Sequence, residues 1–140
     1  MTKKEKFKKR VYICSPYTAL LALGGNAPSR IASAAVKKAE AFYNDSGVFM
    51  YSPVLDAKMQ AYKGGSWEVV REVCLEALSE CDELFITLNC IGDGDYVKNS
   101  VGIFAEYCAA VEKNIPVVSD TPEILEFLAE KRSKNLRFKF

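Results

Sequence analysis

The chain lacks several of the residues and patterns on which common active sites depend. Its 140 residues include no histidine, which excludes a Ser-His-Asp triad and leaves carboxylates, hydroxyls, tyrosines and thiols for any chemistry. The five cysteines are scattered and never form a C-x-x-C pair, so we expect neither a disulfide scaffold nor a metal site. Neither a G-x-G-x-x-G nor a P-loop sequence follows the first predicted strand, so we expect no cofactor.

Long apolar runs are also missing. No window of about 18 apolar residues exists, and the basic start leads into a short apolar segment without a small-residue cleavage site. We therefore expect a cytoplasmic protein without a membrane span. Apolar residues make up 49% of the chain, and this share at this length predicts one compact domain.

The formal net charge of +1 hides a strong segregation of charge along the chain. Residues 1–10 and 131–140 are both strongly basic, whereas acids are in excess between them. We interpret the two ends as a basic N-terminal tail at 1–10 and a basic C-terminal tail at 131–140, flanking a domain at 11–130. Because solvated tails of this kind are common, we do not expect nucleic acid as a partner.

The spacing of apolar residues predicts strands that alternate with helices. Strands are expected at 11–15, 48–51, 84–88 and 115–119, and helices at about 26–44, 66–81, 100–113 and from 121 onward. The alternation predicts an α/β fold, a three-layer open parallel sheet of four to five strands with helices on both faces, flavodoxin- or Rossmann-like. A ligand is then expected at the carboxyl ends of the strands. These ends comprise residues 15–18, 52–56, 89–100 and 119–120.

Four fragments of the sequence, in the right order, resemble one enzyme group. They are VYICSPY at 11–17, CDELFI at 81–86, SVGIFAEY at 100–107 and the I-P-V strand at 115–117. They are similar to the first strand and loop, the third strand, the S/D-x-G-x-x-x-E-x motif and the following strand of the nucleoside 2-deoxyribosyltransferase-like group. That group includes deoxynucleoside 5′-monophosphate N-hydrolases, and phage and bacterial proteins of unknown function share its S-P-Y opening.

The resemblance implies a catalytic pair. In the group, the glutamate that matches Glu106 attacks the anomeric carbon and forms a glycosyl-enzyme ester, and the tyrosine that matches Tyr12 hydrogen-bonds that glutamate. Without the resemblance, the sequence favours Glu106 as a surface glutamate on an amphipathic helix packed through small residues, and Tyr12 as a core residue.

The resemblance also implies a binding pocket for a nucleoside or nucleotide. Ser15, Pro16 and Tyr17 match the loop after the first strand, which we expect to bind substrate. Ser100 and Gly102 match positions that hold a 5′-phosphate at a helix start, where unpaired N–H groups favour anions. Plain N-capping explains a serine at position 100 equally well.

One departure from the group concerns its catalytic acid. The group has an aspartate, which holds the sugar hydroxyl and assists proton transfer, at the position of Cys74. Helical spacing turns the neighbouring Glu72 and Glu76 away from Cys74, whereas Arg71 lies close to its face and is expected to contact a phosphate. We expect Asp56 to bind substrate. The carboxylate that protonates the leaving base, in place of the missing aspartate, is expected from Asp56, Asp93 or Asp95, although loop aspartates are more often turn formers.

The sequence thus predicts cleavage or transfer of an N-glycosidic bond in a (deoxy)nucleoside or its 5′-monophosphate through Glu106. The alternative is a catalytically impaired nucleotide-binding module of the same fold, for which the cysteine at position 74 is the main support. The resemblance also implies a homo-oligomer, a dimer or larger. The apolar, glycine-rich segment at 19–25 fits either a mobile flap or a subunit contact.

Overall fold

A computed structural model describes residues 8–56, 67–90 and 95–138 of the chain. These residues form strands β1 (Lys9–Ile13), β2 (Val48–Tyr51), β3 (Glu83–Ile86) and β4 (Val117–Ser119). The helices are α1 (Ala27–Tyr43), α2 (Trp67–Ser79), α3 (Asp95–Lys98), α4 (Val101–Glu112) and α5 (Pro122–Phe138), with a short 3-10 helix at Thr18–Leu23.

The four described strands form one all-parallel sheet in the order β2-β1-β3-β4. This confirms the predicted α/β fold with a three-layer open sheet. The two central strands are almost completely buried, as expected for strands covered on both faces. Because strand β1 is central, the residues at its carboxyl end lie in the middle of the edge where ligands of such folds bind.

Side chains alternate between the two faces of the sheet. Phe42 and Tyr43 of α1 pack against the Phe85 ring, which pairs in register with Ile13, so α1 covers that face. Tyr12 points to the opposite face, because successive residues of a strand alternate. There it meets α2 and α4, which pack against each other.

The ends of α1 follow from local chemistry. Pro28 lies in the first turn, where a missing N–H costs nothing. The helix ends at Asn44, whose left-handed conformation (φ 46°) caps it. The helix therefore ends where the spacing of apolar residues predicted, at residue 44.

Several predicted boundaries differ from the structure. Strand β1 already includes Lys9 and Arg10, and α5 continues to Phe138, so most of the expected C-terminal tail is part of the folded unit. Within α5, the Lys131 ammonium lies 4.6 Å from the centre of the Phe104 ring. Helix α3 lies within residues 89–100, where no helix was expected, and Ser66, the first residue of the helix expected at 66–81, lies outside the described residues. No helix in the described part of the chain is long and apolar enough to cross a membrane.

Candidate active site at the carboxyl end of the central strand

Glu106 lies in the second turn of α4, next to the carboxyl end of β1. The residue as a whole is only partly buried, but its carboxyl lies deep among protein atoms. This burial raises the pKa of Glu106 from 4.5 to about 7, and hydrogen bonding from Tyr12 and Cys14 acts in the opposite direction. At neutral pH the carboxyl is therefore divided between its acid and its ionised form.

Tyr12 faces this carboxyl from β1, as the resemblance implied. Its side chain is completely buried. Burial, followed by the nearby charge of Glu106, raises the pKa of Tyr12 well above its ordinary value. The hydroxyl makes no regular hydrogen bond to any residue in the described ranges, so it approaches Glu106 with imperfect alignment. Catalytic hydrogen bonds in unliganded proteins are often loose in this way.

Cys14 is a member of the site that the sequence analysis missed. It is buried, and burial and the charge of Glu106 raise the pKa of its thiol well above the usual range. The backbone N–H of Cys14 donates to the Phe85 carbonyl (3.0 Å), which extends the pairing of β1 and fixes the thiol in place. The sequence could have indicated this, because Cys14 lies two residues after Tyr12 in the same predicted strand and such residues share a face of the sheet.

Cys74 completes the group from helix α2. Burial, followed by the charge of Glu106, raises its pKa to about 11, so the thiol stays protonated and neutral. Glu72 and Glu76 are exposed, as predicted from the helical spacing. Glu106 is therefore surrounded by a phenol and two neutral thiols, and we call Tyr12, Cys14, Cys74 and Glu106 the Glu106 cluster.

Asp56 lies at the same edge of the sheet, after β2. It accepts a hydrogen bond from the Tyr51 hydroxyl (2.8 Å). The Tyr51 ring in turn packs against the Tyr12 ring, with centroids 5.8 Å apart and planes tilted by 48°. Asp56 is thus connected to the cluster through two tyrosines. Asp95 is exposed on α3, and Asp93 lies outside the described residues.

The loop after β1 carries Ser15, Pro16 and Tyr17, which are buried or half-buried. The Ser15 hydroxyl is buried and has no hydrogen-bond partner within the described ranges. The Ser52 hydroxyl, at the end of the neighbouring strand, is in the same situation. Since unpaired buried hydroxyls cost free energy, both are candidate ligand contacts, and Ser52 belongs to the strand end 52–56 at which the sequence predicted a ligand.

Ser100 and Gly102 lie at the start of α4. The Ser100 hydroxyl accepts a hydrogen bond from the Ile103 N–H (3.1 Å) and is the N-cap of the helix. Gly102 has neither a left-handed backbone nor a close neighbour in the described structure, since an added Cβ would meet only the Ser100 hydroxyl at 3.9 Å. The capping role of Ser100 is established, and the space above Gly102 is compatible with a ligand.

Arg71 is exposed on α2, one turn before Cys74. The pKa of Glu106 responds to Tyr12 and Cys14 and not to Arg71. A further polar group links the ends of β3 and β4, within the strand ends at 89–100 and 119–120 that the sequence placed at the ligand edge. There the Asn89 amide donates to Asp120 and to Thr121, at 3.3 Å each.

We compared the chain with known proteins. No family model, curated protein or solved structure matches it. The fold is therefore established by the structure alone, and the family resemblance stays a prediction from four fragments. Within the described residues, no group of three or more histidine, cysteine or acidic side chains could hold a metal ion.

Proposed function

We propose that the protein cleaves or transfers the N-glycosidic bond of a (deoxy)nucleoside or nucleoside 5′-monophosphate, with Glu106 as the nucleophile. The observation that carries this proposal is the burial of the Glu106 carboxyl against Tyr12 and Cys14 at the end of the central strand. Structural glutamates of surface helices are seldom buried without a cationic partner. A carboxylate in this setting can stabilise an oxocarbenium-like carbon and also bond to it.

The reaction would proceed in two steps. The ionised Glu106 attacks the anomeric carbon as the C1′–N bond breaks, and the base departs with the electron pair and gains a proton from water, leaving a glycosyl ester. Water or a second base then attacks the same carbon, and the ester bond to Glu106 breaks. Tyr12 and Cys14 favour the ionised form, since hydrogen bonding from both lowers the pKa of Glu106. Their proposed role is to hold the attacking oxygen in place and to keep enough carboxylate present at neutral pH.

Binding of the substrate is proposed at the surrounding loop ends. The loop at Ser15, Pro16 and Tyr17 and the Ser52 hydroxyl offer unpaired or buried polar groups to a nucleoside. The start of α4, with Ser100 and Gly102, would accept a 5′-phosphate because helix N-termini attract anions.

The test is release of free base from a panel of nucleosides and 5′-monophosphates, measured by chromatography. We expect release by the unmodified protein and none by Glu106→Gln. Glu112→Gln serves as the matched control, because Glu112 is an exposed glutamate at the end of the same helix. Absence of release from the whole panel, or full activity of Glu106→Gln, would refute the proposal.

A second candidate function is a nucleotide-binding module without catalysis. The observation that favours it is the neutral thiol of Cys74 beside Glu106, at the position where the resembling enzymes have an acid. A thermal-shift screen with the same panel, read beside the release assay, separates the two functions. Stabilisation without product formation indicates binding alone.

The assembly and location belong to the same proposal. Leu21 and Leu23, in the 3-10 helix after the substrate loop, are each 54% exposed, and we propose that a second copy of the chain covers them in a homo-oligomer. Light scattering of the unmodified protein and of Leu21→Ser/Leu23→Ser tests this.

All five cysteines are free thiols, which favours a reducing, cytoplasmic location.

A further inference from the structure

We propose that Asp56 is the general base of the second step, where it takes a proton from the water that attacks the glycosyl ester, and that Tyr51 positions it. This inference rests on the proposed function, because it assigns a further role in the same reaction. It follows from the place of Asp56 beside the pair of tyrosines that leads to Glu106.

A tight turn brings Asp56 back to the strand that it follows. Pro53 lies just beyond β2, where it has no N–H to continue the sheet, and its fixed φ suits the second position of a turn. The Leu55 N–H donates to the Ser52 carbonyl (3.2 Å). The Asp56 N–H donates to the Pro53 carbonyl (3.3 Å). The chain therefore turns back at the carboxyl edge of the sheet, and Asp56 reaches Tyr51.

The Tyr51 hydroxyl holds this carboxylate in place. It donates to Asp56 Oδ2 at 2.8 Å, and because a hydroxyl has only one hydrogen, Asp56 is the acceptor in this bond. Tyr51 and Asp56 are both half-buried, so a water or a ligand can approach the pair, whereas Tyr12 is completely buried. An oriented and partly accessible carboxylate meets the geometric requirement for a general base.

The same pair adjoins the Glu106 cluster. Tyr51 and Tyr12 lie opposite each other in the register of β2 and β1, and their ring centroids are 5.8 Å apart. Tyr12 faces Glu106, while Tyr51 bonds to Asp56. Burial, the bond to Asp56 and then Cys74 raise the pKa of Tyr51, so the cluster adjoins this tyrosine from α2 as well as from β1. Two neighbouring tyrosines thus carry one carboxyl each.

Other carboxyls at this edge are less well placed. Asp95 is exposed on α3. Asp120 follows β4, which is separated from β1 by β3, and it already accepts hydrogen bonds from Asn89 and Thr121. Asp56, on the strand next to β1, is therefore the carboxyl that the described contacts favour.

The second step balances with water as the only further reactant. The water oxygen bonds to C1′ as the ester bond breaks, and the electron pair of the ester bond returns to Glu106 as its carboxylate. Asp56 takes one proton from the water and later releases it to solution. Proton transfer by a positioned side chain typically contributes about 10²- to 10⁴-fold to a rate.

Rapid-mixing kinetics test this role, with the member of the nucleoside and 5′-monophosphate panel that releases its base fastest. For Asp56→Asn we expect a burst of base equal to the amount of protein, followed by a steady rate about 100-fold below that of the unmodified protein. The burst arises because the first step does not use Asp56, so the ester accumulates. Tyr51→Phe, which keeps the ring and loses the hydroxyl, should show the same pattern with a smaller loss.

Added azide distinguishes a general base from a residue with a structural role. Azide is a nucleophile with no proton to lose, so it should restore turnover in Asp56→Asn and Tyr51→Phe and form a glycosyl azide, which mass spectrometry detects. It should restore nothing in Glu106→Gln. Asp45→Asn is the matched control and should keep the unmodified rate, because Asp45 is an exposed aspartate at the other end of β2.

Two results would overturn the inference and leave the glycosidase function intact. One is a steady rate of Asp56→Asn equal to that of the unmodified protein. The other is a joint loss of burst and steady rate that azide does not restore. Absence of release by the unmodified protein would instead refute the proposed function, and the inference with it.

Discussion

The hydroxyl of Tyr12 faces the carboxyl of Glu106, although the two residues are far apart in sequence and belong to a central strand and to a helix. The charge of Glu106 raises the pKa of Tyr12, and the hydroxyl of Tyr12 lowers the pKa of Glu106. The two protonation states are therefore linked. A change at either residue must appear in the titration of the other.

The first prediction concerns Tyr12→Phe. Removal of the hydroxyl takes away a donor that faces the carboxyl and favours its ionised form, so the pKa of Glu106 should rise above about 7. The stability should change by less than about 1 kcal/mol, because the lost hydroxyl has no regular hydrogen-bond partner in the described structure. Carbon-13 NMR titration of the Glu106 carboxyl measures the shift.

Tyr51→Phe is the matched control for this titration. It also removes one hydroxyl from the same pair of rings, but that hydroxyl bonds to Asp56. The pKa of Glu106 should then stay near 7. A shift as large as the one expected for Tyr12→Phe would contradict the specific pairing of Tyr12 with Glu106.

The second prediction is a loss of stability as the pH rises from about 4.5 to 7. In this range the folded protein holds a proton on Glu106 that the unfolded chain has already released, so the free energy of unfolding falls with pH. A pKa raised from 4.5 to about 7 corresponds to about 3 kcal/mol. The loss should be complete above pH 7.

Urea denaturation at several pH values measures this dependence. Glu106→Gln, which has no proton to lose, should show a much flatter profile than the unmodified protein. Glu112→Gln should keep the full slope, since Glu112 is exposed. Parallel profiles for all three proteins would show that the Glu106 carboxyl is not held in a desolvated site.

Much of the fold could be predicted because it depends on local chemistry. Strand β2 lies where the run VFMY predicted it, and α4 begins after the serine that caps it. The extent of α5 could not be predicted, because its basic residues resemble a solvated tail until Lys131 is seen to stack on Phe104. Packing between helices decided that boundary.

The site was predictable only in part, because some of its contacts also depend on how distant elements pack. Strand alternation alone places Cys14 beside Tyr12. The hydrogen bonds from Asn89 to Asp120 and Thr121, in contrast, join residues 31 and 32 positions apart. Such links follow from the order of the strands in the sheet, which a single sequence does not specify.

The third prediction concerns Cys74→Asp. A second carboxylate beside Glu106 should raise the pKa of Glu106 further, because two neighbouring negative charges repel each other. The variant should therefore lose more stability at pH 8 than at pH 5. If the proposed function holds, release of neutral bases should increase, since the new acid supplies a proton donor. Cys74→Asn, similar in size but uncharged, should show neither effect in the same denaturation and release assays.

The fourth prediction tests the packing of α5. Lys131→Gln should cost about 0.5–1 kcal/mol, because the ammonium of Lys131 lies 4.6 Å from the centre of the Phe104 ring. Lys134→Gln, on the same helix, should cost less, because its ion pair with Glu130 is largely exposed. Chemical denaturation of both variants checks this order, and equal losses would show that the Lys131 contact contributes nothing specific.

The last prediction separates the structural role of Ser100 from its proposed role in binding. Ser100→Ala removes the hydrogen bond to the Ile103 N–H and should cost about 1 kcal/mol of stability, whereas Ser100→Asp keeps an N-cap acceptor and should retain stability. Asp also places a negative charge where the 5′-phosphate is proposed to bind, so it should abolish binding of a nucleoside 5′-monophosphate while sparing the nucleoside. Denaturation and calorimetric titration measure the two effects separately. Unchanged monophosphate affinity in Ser100→Asp would place the phosphate elsewhere and leave Ser100 as a helix cap.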